Sequence, residues 1–221
     1  MFVYQFMQAE HALDDLRKRR LKVSLLEDLN DPFELLGARL DHSDHRMQLR
    51  AWRNYMITIS RLLCFSRTYM NPVLWSHYAD KHRGICLAFD VPKHLLLNVT
   101  YDAVRLAVDF RSEASKAGGV SHETARRLLT TKYVDWEYES EVRMFVRPEE
   151  VIHDGGLQFF PFSDDLSLRA VYVGPRCKVT RQQVQGALQS EDQPTLVHAT
   201  RLAFKSYRII RTPWKVANLD A

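Results

Sequence analysis

The order of the short apolar runs is what most constrains how this sequence can fold. Up to about residue 90, runs with a two-residue period alternate with runs of helical period, and after residue 137 the two-residue period dominates. A doubly wound sheet needs strand and helix to alternate throughout. Interleaving that stops part-way predicts an α+β chain instead. The expected architecture is a single domain over residues 1–221, with central mixed or antiparallel sheets flanked by helices. At 46% hydrophobic and 26% charged residues, the chain can bury a sizeable core.

The first predicted strand is Val3–Phe6, followed by an amphipathic helix over Ala9–Arg20 and a second strand over Leu21–Leu25. Asp31-Pro32-Phe33-Glu34 has the residues of a helix start: a capping Asp, a Pro suited to the first helical position, and a Glu that completes a capping box. Asp41–Arg50 is polar and His-containing and reads as a loop or mobile helix end. Arg61–Ser66 reads as a buried strand. Asn71-Pro72 opens a helix expected to end at Gly84, and Ile85–Asp90 follows as an apolar strand. A short strand over Asn98–Tyr101 precedes helices over Asp102–Lys116 and His122–Asp135, separated by Gly118-Gly119. Glu137–Val146 alternates charged and apolar residues and reads as a strand with one wet face. Asp154-Gly155-Gly156 is a turn before a strand over Leu157–Phe162. Ala170–Val173 is a strand ending at Gly174-Pro175, and Thr180 with Gln183 caps a helix running to about Gln189. Thr195–Lys205 and Tyr207–Arg211 close the chain as strands.

Composition narrows the function. The formal net charge of +4, from 31 Lys and Arg against 27 Asp and Glu, is less basic than a dedicated duplex-binding domain. The densest basic run, Arg17-Lys18-Arg19-Arg20, has the ordinary reading of a solvated helix end favoured by the macrodipole. Three scattered cysteines, Cys64, Cys86 and Cys177, fit free thiols in a reducing compartment, so a cytoplasmic location is expected. Met1–Met7 lacks a basic leader pattern, and no apolar run approaches a membrane span, so no membrane partner is expected. The nine histidines include the pairs His42/His45 and His77/His82, neither with a cysteine or carboxylate at a ligand spacing, and no metal is expected. The eight glycines form neither a dinucleotide fingerprint nor a Walker pattern.

Four segments could carry chemistry. Trp136–Arg143 places Glu137, Glu139, Glu141 and Arg143 on one strand face, a costly grouping unless partners or a ligand compensate it. Close carboxylates beside a guanidinium have split or depressed pKa values, which suits catalysis, and an exposed face of ion pairs is the plainer alternative. Ser66 ends a buried strand, where its hydroxyl reaches a sheet edge or is simply a strand terminus. Trp75, Tyr78 and His82 share a helical face with His77 to one side. Together they form either a core stripe or an aromatic wall for a flat ring. In Asn30–Glu34, helix capping accounts for Asp31 and Glu34.

Several pieces resemble the bacterial family catalogued as domain of unknown function 2971, which is associated with abortive infection and phage defence. They are Val3–Phe6, Leu29–Glu34, Leu63–Ser66, Leu74–Asp90, Trp136–Arg143 and Val171–Gly174, in the family's order over most of the chain. More distantly, the opening strand, helix and strand resemble ADP-ribosyltransferase-type domains, which hold nicotinamide adenine dinucleotide (NAD) between two small sheets. Such domains use a His or Arg on the first strand, a Ser or Tyr on a second, and a Glu-x-Glu on a later one. Glu139-Ser140-Glu141 and Ser66 match the latter two, whereas the first strand carries Tyr4 and Gln5.

The resemblance implies an NAD-dependent ADP-ribosyltransferase-like or NAD-hydrolysing effector, of toxin or anti-phage type. Its substrate is the dinucleotide, and its acceptor is a protein or nucleic acid. Glu141 would be the catalytic carboxylate and Glu139 would orient the acceptor. Ser66 would support the ribose and Tyr4 would belong to the dinucleotide site, with Trp75, His77 and Tyr78 flanking the rings and Arg143 or His77 compensating for the missing first-strand cation. Two other classes stay open: a nuclease-like nucleic-acid enzyme or binder using the Glu face with Lys132, Arg143 and Arg17–Arg20 against phosphates, and a non-catalytic sensor module using the charged face for a partner.

Overall fold

The computed structural model describes residues 1–113, 119–188 and 195–214. In chain order its elements begin with β1 (Phe2–Met7), α1 (Ala9–Lys18), β2 (Arg20–Lys22), α2 (Ser43–Ile59), β3 (Arg61–Ser66), α3 (Pro72–Tyr78) and β4 (Ile85–Asp90). They continue with β5 (Leu96–Asn98), β6 (Thr100–Asp102), α4 (Phe110–Glu113), α5 (His122–Thr130), β7 (Thr131–Tyr133) and β8 (Glu141–Val146). The last are β9 (Ile152–Asp154), β10 (Leu157–Pro161), β11 (Ser167–Val173), α6 (Arg181–Ala187), β12 (Leu196–Leu202) and β13 (Ile209–Thr212). This is the expected α+β class. Among the described residues, no helix is long and apolar enough to cross a membrane.

The residues fall into two compact units. The first comprises Met1–Leu21, Phe65–Lys93 and Pro161–Ala221; the second comprises Lys22–Cys64 and His94–Phe160. The first is built on a mixed sheet in the order β13-β12-β11-β4-β1. β4 lies between antiparallel neighbours, with Leu87 opposite Gln5 on one side and Val171 on the other. Ile85 through Phe89 are all buried, which is why this strand reads as a continuous apolar run rather than an alternating one. β11 and β12 pair in parallel, which requires a crossover, and α6 supplies it. Its capping box, Thr180 with Gln183, forms as expected. Tyr4 on β1 is the antiparallel partner of Ser66 at the end of β3.

In the second unit, Leu49, Trp52 and Met56 of α2 pack with Leu26, Leu35, Leu62, Phe110 and Leu128 into one core cluster. β5 pairs antiparallel with β8, and β6 pairs in parallel with β7. β9 and β10 form a hairpin across the expected turn at Asp154-Gly155-Gly156, with β9 a strand that the sequence did not announce. Gly155 and Gly156 both have positive φ, as a two-residue turn of the I′ kind requires.

Several local expectations give way to tertiary structure. Residues 43–50 are the start of α2 rather than a loop, because its apolar face begins only at Leu49 and no earlier residue announces it. The Asp31–Glu34 segment is a turn. The Asp31 carboxylate accepts from the Phe33 N–H at 2.9 Å, and Leu35 takes a left-handed φ of 61° that no helix continues. α3 stops at Tyr78, and Asp80, Lys81 and His82 follow in left-handed conformations before Gly84. Of the Asp102–Lys116 helix only Phe110–Glu113 is helical among the described residues, and Lys116 and Gly118 lie outside them. α5 ends at Thr130, and Thr131–Tyr133 leaves it to pair with β6. Gln189 also lies outside the described residues. The largest departure concerns Glu137–Val146: Val134–Glu139 is a 3-10 helix, Ser140 is left-handed, and the strand begins at Glu141.

Candidate functional site

Of the charged residues of the Trp136–Arg143 segment, Glu137 is exposed, and the other three are not on a wet face. Glu139, Glu141 and Arg143 are buried, with Glu141 4% and Arg143 1% exposed. The 3-10 turn and the left-handed Ser140 change the phase between Glu139 and Glu141, so strand alternation does not relate them. Lys132, projecting from β7, joins them instead. Its Nζ donates to Glu139 Oε2 at 2.5 Å and to Glu141 Oε2 at 3.3 Å. On β8, Arg143 grips Glu141 with two parallel bonds, Nε to Oε1 at 2.8 Å and Nη2 to Oε2 at 3.1 Å. Its Nη1 donates to Glu34 Oε1 at 2.5 Å and to the Leu129 carbonyl at 2.7 Å. Glu34 therefore does not complete a capping box; it belongs to this network, supplied by the turn at Asp31.

Three carboxylates against two cations leave one negative charge in excess if all are ionised. The protonation equilibria resolve this unevenly. At Glu34, burial outweighs the attraction of Arg143 and raises the pKa. At Glu141 burial also acts upward, but Arg143 and Lys132 outweigh it and hold the pKa below the ordinary carboxylate value. Burial alone would depress Lys132, yet Glu141 and Glu139 more than reverse that and keep it protonated. Cys64 on β3 bonds to Glu141, and burial pushes its thiol well up, so it is a proton donor there and not a thiolate. The Glu141 N–H donates to Tyr101 Oη at 2.7 Å, and burial pushes that phenol up to about 12.

A carboxylate whose pKa is lowered is a poor base. It is suited to holding negative charge where positive charge develops, or to accepting a hydrogen bond from a hydroxyl. The same unit has a cavity of about 300 Å³ next to the network, lined by Phe33, Gly37, Asp102, Arg105, Lys132 and Tyr133 among others. Phe33 and Tyr133 are exposed, and the Arg105 guanidinium lies 5.1 Å from the Phe33 ring centre. On another side, the Lys132 ammonium lies 4.8 Å from the ring centre of Trp136. Among the described residues, no group of three His, Cys, Asp or Glu side chains is arranged to hold a metal ion.

The remaining candidates fall in the first unit. Tyr4, beside Ser66 in register, joins an aromatic group in which Tyr69 and Tyr172 stack at 4.2 Å and Tyr172 and His198 at 5.2 Å. Ser66 Oγ accepts from the Thr68 N–H. Trp75 has no exposed surface: it packs edge-on against Phe6, and its indole N–H donates to the Tyr69 carbonyl, so it offers no face to a ring. His77 is exposed and Tyr78 half-buried, their rings 6.0 Å apart. Thus Glu139, Glu141 and Arg143 are brought together, whereas the other five belong to a different unit. Lys132, proposed from the sequence as a phosphate ligand, is committed to two carboxylates. In the basic run, Arg20 is buried and pairs with Asp14.

A family model described as protein of unknown function (DUF2971) matches residues 74–144, a stretch that contains Lys132, Glu139, Glu141 and Arg143 and supports the family resemblance. No curated protein and no solved structure matches the chain.

Proposed function

We propose that the chain acts on nicotinamide adenine dinucleotide, transferring its ADP-ribose to an acceptor or to water, as a cytoplasmic effector in defence against phage. The observation that carries this reading is Glu141, a buried carboxylate kept ionised by Arg143 and Lys132, with Lys132 also lining a cavity that holds aromatic and cationic residues. The bond that breaks is the glycosidic C–N bond. Its electron pair leaves with nicotinamide, and the ribose carbon becomes oxocarbenium-like until water or an acceptor nucleophile attacks. A fixed negative charge stabilises that centre without reorganisation. In this reading Glu141 supplies the charge, Glu139 orients the acceptor, and Phe33 and Tyr133 flank the nicotinamide end. The cavity volume is at the lower end of the range for ligand pockets and suits one end of the dinucleotide. These roles use residues of the second unit alone.

Purified protein incubated with the dinucleotide and cell lysate should release nicotinamide. Glu141→Gln, folded by circular dichroism, should release it roughly a hundredfold more slowly, the scale on which electrostatic donors act. Tyr133→Ala, at an exposed position, should raise KM and leave the melting temperature unchanged. A folded Glu141→Gln variant with an unchanged rate would sink the assignment. The burial of Glu141, with both its oxygens bonded to cations, favours a second reading: a non-catalytic module whose charge cluster fixes the fold. No nicotinamide release by wild type, with no dinucleotide binding, would select that one.

A further inference from the structure

A second cavity in the second unit, of about 460 Å³, runs along α2. Arg46, Arg50 and Arg53 line it, and their spacings of four and three residues bring all three to one helix face. Arg46 is anchored, its Nη1 donating to the carbonyls of Leu40 and Asp41 at 2.8 and 3.3 Å. The Arg53 Nε is buried and has no hydrogen-bond partner among the described residues. A buried donor without an acceptor is costly and calls for one. Glu27 also lines the cavity, but no ion pair joins it to these arginines, so the lining carries a surplus of two positive charges. Leu40, Leu49 and Ile57 make the rest of the wall apolar.

We propose that this cavity binds a small organic phosphate, with the guanidinium forks on the phosphate oxygens and the apolar wall against the body of the molecule. Planar forks pair with phosphate through two parallel bonds, which a solvated lysine face does not offer. Such a ligand relieves both the repulsion between neighbouring guanidiniums and the orphaned Arg53 donor. The site goes beyond the dinucleotide reading and uses none of its charged residues.

Isothermal titration calorimetry with adenosine 5′-diphosphate and with inorganic pyrophosphate tests it. Both should bind saturably, the nucleotide more tightly if the apolar wall contributes. Arg50→Gln, at an exposed position that leaves the fold intact, and Arg53→Gln should each weaken binding about tenfold or more. Arg53→Lys should restore part of it, and Arg176→Gln in the first unit should change nothing. Equal affinity in wild type and both Gln variants would overturn the proposal. So would absence of binding by either probe, or binding confined to a long oligonucleotide, which would make the arginine face a nucleic-acid surface.

Discussion

Glu34 and Glu141 share one guanidinium and respond to it in opposite ways. Glu34 receives a single bond from Arg143, and burial dominates it. Glu141 receives two from Arg143 and one from Lys132, and the cations dominate. Their linkage to stability therefore has opposite sign. Glu141, with a lowered folded-state pKa, contributes stability that is present above its unfolded value near 4.5 and lost as pH falls through the folded value. Glu34, with a raised one, contributes stability that is complete below that unfolded value and lost as pH rises through the folded value. Glu34→Gln abolishes the second titration. Urea midpoints measured from pH 4 to pH 7 should show the variant gaining relative to wild type as pH rises; a constant difference would show that Glu34 titrates normally. Glu139, Glu141 and Arg143 could be singled out from the sequence because they are near neighbours in it. Glu34 lies 109 residues from Arg143, and no local pattern encodes that meeting. Even its motif was informative only about capping, since an Asp-Pro-x-Glu turn and a helix start use the same residues.

At the scale of elements, legibility followed how far each segment depends on the rest of the chain. β4, the β9–β10 hairpin and the capped α6 carry their own signals, in apolar continuity, paired glycines and a capping box. α2 and β7 do not. α2 begins two turns before its apolar face, and β7 has three residues whose strand geometry is imposed by β6. The stretch after α3 shows how closely an element can be fitted. A Cβ on Gly84 would lie 2.1 Å from the Met7 carbonyl oxygen and 2.8 Å from the Ala79 Cα, both backbone atoms that cannot swing aside. Gly174, whose N–H donates to the Gly84 carbonyl, is similarly tight against that oxygen and that of His82. Gly84→Ala should therefore destabilise the first unit by about 3 kcal/mol, at the upper end of the usual overpacking cost. Urea denaturation followed by circular dichroism measures it, and a cost below about 1 kcal/mol would mean that the turn relaxes.

Over the whole molecule, neither unit is a continuous stretch of chain. The first gathers three segments and the second two. The second unit's core cluster takes Leu26, Leu49, Trp52 and Leu62 from one segment and Phe110, Leu128 and Leu129 from the other. A fragment of residues 94–160 keeps the whole charge network except Glu34 and Cys64 but loses seven of the eleven buried residues of that cluster. It should show no cooperative thermal transition, and a sharp melt of the isolated fragment would mean that the α2 segment is dispensable. The interleaving also inverts the usual order of events on the ribosome. Domains made first generally close first. Here the second unit has all its residues once Phe160 is made, while the unit that holds residues 1–21 still lacks β11, β12 and β13. Synthesis of residues 161–214 takes roughly 3–10 s at ordinary elongation rates. Through that interval β4 has β1 on one side and, on the other, a bare apolar edge waiting for β11, so the nascent chain is most vulnerable to aggregation once the second unit has been made rather than before it.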